Sequence, residues 1–376
     1  MSVLATNAIT DASGGNTATI NSFTPTVSNM AGRNLIINGA MQVAQRGTSF
    51  SGTCETAAYD LDRFHIFSTS GATADCTRTQ EEDAPDNTGL RYSYKITPNA
   101  TNTPTDSGNF AFIQTLEGYT AQPLGHGSTD APQATLSFWV KSNKTGTYGL
   151  QIKEEYTNEV LEQYLLFAYT IDSADAWEYK TITWTGNSNN TLNKTNGSGI
   201  RLIWHLDVGP DDETSPSTTW TSDTAFKSVT GQSHLLDSTD NYWQITGVQL
   251  EVGTVATPFE HRLYGQELAL CQRYYYRTAD DGSLTNLMTI PVETSISGAG
   301  GFQHPVSMRS VPTITIGSGI RFYSAASGIR TPTISSNRSS TTTFAADFSF
   351  SGATAGQAGT IYRGATSGFV EASAEL

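Results

Sequence analysis

The chain carries little charge for its length. Only 15% of its 376 residues are Asp, Glu, Lys or Arg, and 35 acidic residues outnumber 21 basic ones, for a formal net charge of −14. That shortage of basic residues argues against nucleic acid as a partner, because neutralising phosphates takes a basic patch. Long apolar runs are missing too, so no stretch reads as a membrane span. Cysteine is scarce. Cys54, Cys76 and Cys271 are too few for a disulfide framework, and their odd number leaves at least one free thiol. No pair has zinc or redox-motif spacing. They read as small buried or half-buried residues, with a Cys54–Cys76 bridge left open. Residues 1–20 lack the basic start and apolar run of a secretory signal, so synthesis in a cytoplasm is the expectation. Coiled coils and helix bundles would need more Ala, Glu, Lys and Leu. A disordered chain would carry fewer aromatics than the 10% found here.

What is abundant is Thr, Ser, Gly and Asn, with 34 Gly and 16 each of Tyr and Phe. Such a composition predicts an all-β protein with many turns. Period-2 alternation supports this. Leu136, Phe138 and Val140 alternate with Ser137, Trp139 and Lys141, and Tyr148, Leu150 and Ile152 repeat the pattern. Ile200, Leu202, Trp204, Leu206 and Val208 form a longer run opposed by Arg201, His205 and Asp207, the signature of a half-buried strand. Between Trp243 and Val252 the apolar phase slips at Gly247, which predicts a bulge or bend. The stretch 154–171 fits a helix or a strand, and strand is preferred. Without alternating helices, these strands favour a sandwich over a parallel sheet.

The organisation that follows has four parts. Residues 1–33 have no periodic face and cannot build a core of their own. They read as an extended arm that orders by adding strands to another chain or particle, with a floppy end as the alternative. Residues 34–263 form the main sandwich. Leu268, Cys271 and Tyr275, with Leu270 and Tyr274, predict a short linking helix over 264–277. Residues 278–376 form a second, smaller β-sandwich, with candidate strands at 287–292, 313–316, 320–323, 343–350 and 360–362.

Several segments are familiar. Residues 31–47 (AGRNLIINGAMQVAQRG), followed by 59–64 (YDLDRF), resemble the opening of a domain found in bacteriophage tail fibres and related virion appendages. Residues 245–262 (ITGVQLEVGTVATPFEHR) resemble that domain's closing strand, and 264–276 (YGQELALCQRYYY) the linker that follows it. The segment 11–16 (DASGGN) is similar to the N-terminal attachment tails of such fibres, and 373–376 (SAEL) to their ending. The resemblance implies a carbohydrate-binding-module-like jelly roll in a homotrimeric structural protein of the virion, made in the host cytoplasm. It implies that residues 1–33 meet tail adaptor or nozzle proteins. The resemblance fixes neither host nor receptor; the expectation built on it is viral attachment to the host cell by non-covalent receptor binding, with a surface glycan as the receptor and the last 100 or so residues as the tip. A purely architectural role, as a head fibre, capsid decoration or tail adaptor without a receptor, stays open at this point.

The sequence offers no obvious catalytic constellation. The six histidines, His65, His126, His205, His234, His261 and His304, form no metal-binding pair, and no nucleophile elbow, phosphate loop or dinucleotide signature is present. No enzyme and no cofactor are therefore expected. Two acidic runs, Glu81–Asp83 and Asp211–Glu213, could hold a structural Ca²⁺ but lack spaced ligands, and solvated loops are the default reading. For a glycan, aromatic rings are the natural platforms, since a flat ring packs on the C–H face of a sugar. Trp220, in a polar loop, is the candidate in the larger domain, and Phe322, Tyr323 and Tyr362 at the tip, each weighed against core packing. Trp139, Trp204 and Trp243 sit inside strand patterns and are assigned to structure.

Overall fold

Alternating sequence becomes strand almost wherever it occurs. In this computed structural model the described residues are 32–54, 58–155, 162–222, 227–278, 285–326, 328–365 and 367–376. The arm expected over 1–33 thus lies outside the described residues, apart from Gly32 and Arg33. The protein is all-β and divides into two compact units, Met1–Arg262 and Leu263–Leu376.

The larger unit opens with β1 (Ser49–Thr53), β2 (Ala58–Tyr59), β3 (Phe64–Ser68), β4 (Asp75–Glu81), β5 (Ser93–Pro98) and β6 (Asn109–Glu117). A single helical turn, α1 (Gly118–Ala121), precedes β7 (Gln133–Ser142), β8 (Gly146–Glu154), β9 (Gln163–Ile171), β10 (Glu178–Thr185) and β11 (Ser198–Val208). Three short strands follow, β12 (Glu213–Thr214), β13 (Ser217–Thr221) and β14 (Ser228–Val229), and then the closing β15 (Trp243–Val252). One sheet has the order β1-β4-β5-β15-β7-β10 and the other β13-β9-β8-β11-β6-β3-β2. Within both, all neighbours are antiparallel. The chain crosses from sheet to sheet repeatedly, as a jelly-roll sandwich does.

Between the sheets lies one apolar core. Phe112 sits 5.8 Å from Trp204 and 5.5 Å from Trp243, and Phe138 meets Trp204 edge-on at 5.6 Å. Trp204 and Trp243 are fully buried. Trp139 points the other way and lies half-buried against Tyr179 on the outer face of the six-stranded sheet. The phase slip in β15 is a bulge: its register against β7 breaks between Thr246 and Gln249, with Gly247 at φ 61°, a conformation that favours glycine.

The two framing segments interlock. Leu35 N–H donates to Leu250 O at 2.8 Å and Val248 N–H to Gly39 O at 2.9 Å. The Asn34 side-chain oxygen accepts from Ile36 N at 2.9 Å and Leu250 N at 3.1 Å. Glu260 accepts from the Gly32 and Asn34 amides, both at 2.7 Å, and Arg262 donates to Ile36 O at 2.8 Å. Asp62, in the 59–64 segment, accepts from Gln45 N at 2.8 Å. The segments 31–47 and 245–262 thus form the clasp that joins the start of the sandwich to its end.

The smaller unit begins with α2 (Tyr264–Gln272), then β16 (Tyr275–Arg277), β17 (Asn286–Thr294), β18 (Ser297–Gln303), β19 (Thr313–Ile316) and β20 (Ile320–Ser324). β21 (Gly328–Arg330), β22 (Thr333–Asn337), β23 (Thr343–Ser349), β24 (Ala358–Arg363) and β25 (Val370–Ser373) complete it. The helix is shorter than 264–277 because Tyr275–Arg277 pairs with Glu371–Ser373 instead of continuing the helical turn. A seven-stranded sheet, β21-β20-β24-β17-β18-β23-β22, and a three-stranded one, β16-β25-β19, enclose a second core of Ile290, Phe322, Phe344, Phe348, Ile361 and Val370.

Candidate functional site

The four aromatic candidates land in different settings. Phe322 has no exposed surface and stacks on Phe350 at 4.2 Å, so its ring is core and offers nothing to a ligand. Tyr323 is 47% exposed, and Tyr362 is half-buried. Since Tyr323 pairs with Thr360 and Arg321 with Tyr362, the two tyrosines are diagonal neighbours on one outer face, with the exposed Ile329 opposite Tyr323. Trp220 lies on edge strand β13, half-buried. Its Nε1 donates to Thr185 O at 3.0 Å and its ring meets His126 edge-on at 5.4 Å. Beneath it, the buried Glu154 binds His126 Nδ1 and accepts from Asn187 and Asn190, both at 2.8 Å. Trp220 therefore covers a structural polar cluster.

The acidic runs are occupied by protein donors. Asp83 accepts from Lys141, from Trp177 Nε1 at 3.2 Å and from Gln244 at 3.0 Å, while Glu82 pairs with Arg91 at 2.9 Å. Asp212 binds Lys227 at 2.8 Å, and Glu213 accepts from Gly231 N at 2.9 Å. Among the described residues no group of three or more His, Cys, Asp or Glu side chains is placed to hold a metal ion.

A different surface gathers chemistry. The outer face of the larger unit's seven-stranded sheet was expected to be solvated opposite the apolar parity of β11. Instead β11 is buried along both faces: His205 is 1% exposed and Asp207 0%. The pairing registers set the outward side chains in parallel rows. One row runs Tyr59, His65, Ile113, Ile203, Gln151 and Leu166. Beside it run Thr115, Arg201, Lys153 and Tyr164. The first row is aromatic at one end and mainly apolar along its middle. The second is polar and charged. Seven strands at the usual spacing make the sheet roughly 30 Å across.

The charges on this face are mutually held. Arg201 pairs with Glu155 at 2.8 Å, and Lys153 with Glu162 at 2.7 Å and Glu155 at 3.4 Å. Tyr164 OH donates to Glu162, and the Lys153 ammonium lies 5.8 Å from the Tyr164 ring centre. Burial works to raise the Glu162 carboxyl, but hydrogen bonds from Lys153 and Tyr164 outweigh it and hold the group below its ordinary value. Tyr59 and His65 rings lie 4.7 Å apart, with the Arg46 guanidinium 5.6 Å from the Tyr59 ring centre.

Burial, helped by the Arg201 and Arg63 charges, lowers His65 to about 3, and burial with the Lys227 charge does the same to His205. Both are neutral imidazoles at pH 7. Among the described residues, the buried atoms His65 Nδ1, Thr115 Oγ1, His205 Nε2 and Gln232 Nε2 have no hydrogen-bond partner. Each such atom costs about 1–3 kcal/mol.

A strap closes the His205 end of the face. Gln232 pairs with Thr147 and accepts from Gly149 N at 3.1 Å, and His234 Nδ1 bonds the buried Asp207 at 2.7 Å. Asp207 also accepts from Leu236 N at 2.8 Å. Sequence reading passed over Tyr59, His65, Lys153, Tyr164 and Arg201. The available signal is the polar parity of each strand, which by pattern alone reads as solvated.

No family model and no curated protein matches the chain. Solved structures with a degree of likeness include the enzymatically active domain of bacteriophage CBA120 tailspike protein 4, at 12% identity and TM-score 0.30 over 58% of this chain and 21% of that one. A family 11 carbohydrate-binding module from Clostridium thermocellum, in complex with a mixed-linked tetrasaccharide, matches at 10% identity and TM-score 0.30, covering 56% and 99%. The CBM22-2 xylan-binding domain from Paenibacillus barcinonensis Xyn10C matches at 13% and TM-score 0.29, covering 54% and 99%. This chain spans about a fifth of the tailspike's length, and likeness at these TM-scores carries no functional argument.

Proposed function

We propose that the protein is a virion appendage, a phage tail fibre, that attaches to the host surface by non-covalent glycan binding on the outer face of the larger unit's seven-stranded sheet. The virion assignment rests on the framing motifs at 31–47, 59–64 and 245–276. In this reading residues 1–33 dock on tail proteins, and three copies of the chain add avidity to weak single sites.

One observation carries the binding face: the partly exposed Tyr59 ring on one side and the partly exposed Arg201, Lys153 and Glu162 on the other flank a buried apolar strip of Ile113, Ile203 and Leu166, with unpartnered buried polar atoms at His65 and Thr115. Sugars present apolar C–H faces and hydroxyls side by side, so paired apolar and polar rows suit a glycan chain. The reading is one of binding without bond cleavage. Glu162, held ionised by Lys153 and Tyr164, is unsuited to donate a proton to a glycosidic oxygen.

Co-sedimentation of the purified protein with host envelopes tests this, before and after periodate destroys the surface glycans. Binding that periodate abolishes supports the reading, and binding that survives contradicts it. A second reading places the contact on the smaller unit, favoured by the exposed Tyr323 beside Tyr362 and Ile329. Truncation after Arg277 separates the two: the first predicts retained envelope binding, the second its loss.

A further inference from the structure

Two of the three cysteines meet in the larger unit. Cys76 lies in β4 opposite Gly52, and Cys54 N–H, just past the end of β1, donates to Ala74 O at 2.8 Å. The two cysteines are therefore diagonal neighbours on adjacent strands, and the Cys54 thiol donates to Gly52 O at 3.6 Å. Arg78 Nη1 reaches Cys54 Sγ at 2.8 Å. The same guanidinium binds Asp60 at 2.6 and 3.4 Å, and Asp60 in turn accepts from Tyr94 OH at 2.6 Å. A cation aimed at one sulfur of a thiol pair, and itself oriented by a buried carboxylate, is how proteins activate a cysteine. The neighbouring Cys76 thiol and the Arg78 charge hold Cys54 below the usual thiol value, whereas the Cys54 thiol and burial push Cys76 up.

Access and reach are both available. Both sulfurs are buried, but β1 is an edge strand, paired only to β4 in its sheet and with alternately exposed residues. Local opening favours segments with few buried contacts and solvent-exposed backbone hydrogen bonds, as at this edge. Diagonal positions lie about 7–8 Å apart, and disulfides close at Cα separations up to about 6.8 Å. Drawing in the end of β1 by about 1 Å is enough.

We propose that Cys54 and Cys76 are a redox site for small-molecule disulfides of the glutathione type, closing to an intramolecular disulfide. The Cys54 thiolate attacks one sulfur of oxidised glutathione, forming a mixed disulfide and expelling glutathione thiolate. Cys76 then loses its proton and attacks Cys54 Sγ, expelling the second glutathione thiolate. The two protons pass to the two leaving thiolates, so two protein thiols are oxidised by two electrons and one glutathione disulfide becomes two glutathiones. Cys271, buried in the other unit, remains a thiol.

The test incubates the full chain with oxidised glutathione over a range of oxidised-to-reduced ratios, alkylates it under denaturing conditions and maps peptides by mass spectrometry. The expected result is a Cys54–Cys76 linked peptide lighter by two hydrogens, with Cys271 alkylated. Cys76→Ser, checked for native circular dichroism, is expected to stop at a glutathione adduct on Cys54. Cys54→Ser is expected to take up no glutathione at Cys76. Three alkylated cysteines at every ratio would overturn the proposal, as would oxidation at Cys271 in preference to the pair. A stable adduct on Cys54 in the unmutated chain, without closure, would overturn the resolving role of Cys76.

Discussion

Each unit contains a seven-stranded sheet, and the two treat their outer faces differently. In the smaller unit the central strand β17 alternates buried and exposed residues, with Met288, Ile290 and Val292 inward and Thr289, Pro291 and Glu293 in solvent. In the larger unit β11 shows the same alternation in sequence but is buried on both sides, with neutral histidines and ion pairs on its second face. Alternation reports which parity is apolar. It does not report whether the polar parity meets water. A polar face kept out of water has to be paired internally or satisfied by a ligand, so the two sheets differ in how their outer polar groups are satisfied.

The largest test of that contrast is in the two cores. Phe112→Ala in the larger unit and Phe322→Ala in the smaller should each cost about 3–5 kcal/mol. All six tryptophans, at 139, 177, 184, 204, 220 and 243, belong to the larger unit. Denaturation followed by tryptophan emission is therefore expected to shift with Phe112→Ala and to miss Phe322→Ala, which circular dichroism should register. A tryptophan transition that moves with Phe322→Ala would mean that the units do not unfold independently.

Acid should separate the faces next. His65 and His205 are each depressed to about 3 in the fold from 6.5. The stability that their neutral forms contribute is present above the unfolded value and lost as pH falls from about 6.5 toward 3. By pH 4.5 that amounts to about 2–3 kcal/mol per histidine. Denaturant midpoints at pH 7 and pH 4.5 should show the loss in the larger unit, and His65→Gln should reduce it by about half.

A weaker effect of opposite sign belongs to the strap. The Asp207 hydrogen bond raises His234, so its contribution is complete below 6.5 and is lost as pH rises through the folded value. Burial holds Asp207 above its ordinary value, because desolvation outweighs the hydrogen bonds from His234 and the Leu236 amide. Amide protection factors in the segment 228–236, corrected for the intrinsic base-catalysed rate, should therefore fall between pH 6 and pH 8, and His234→Asn should remove that fall. Smallest of all, Tyr323→Ala on the solvated face of the smaller unit should change stability by about 0.5 kcal/mol or less.

Much of the fold was legible because it follows from local pattern. The strands around Leu136–Val140 and Tyr148–Ile152, the bulge at Gly247 and the separate helical character of 264–272 were all written in spacing. In the smaller unit β18 escaped, since SGAGGFQ reads as a loop. There the small residues permit close packing: a Cβ on Gly300 would sit 2.2 Å from Ile290 Cγ2. The candidate site was the less legible part. Its rows are made by register between strands far apart in sequence, such as Thr115, Arg201 and Lys153, and no local window contains them. Aromatic residues in polar surroundings were the only local cue, and they led to Trp220, which the fold uses to cover Glu154 and His126, and to Phe322, which is core.

Glycan binding on the outer face of the larger unit is tested most directly by calorimetric titration with host-surface polysaccharide. Tyr164→Ala should weaken binding about tenfold or more, about 1.4 kcal/mol, while Trp139→Ala, on the outer face of the opposite sheet, should leave it unchanged. Equal affinity for the unmutated protein and Tyr164→Ala, or loss of binding with Trp139→Ala alone, would contradict it.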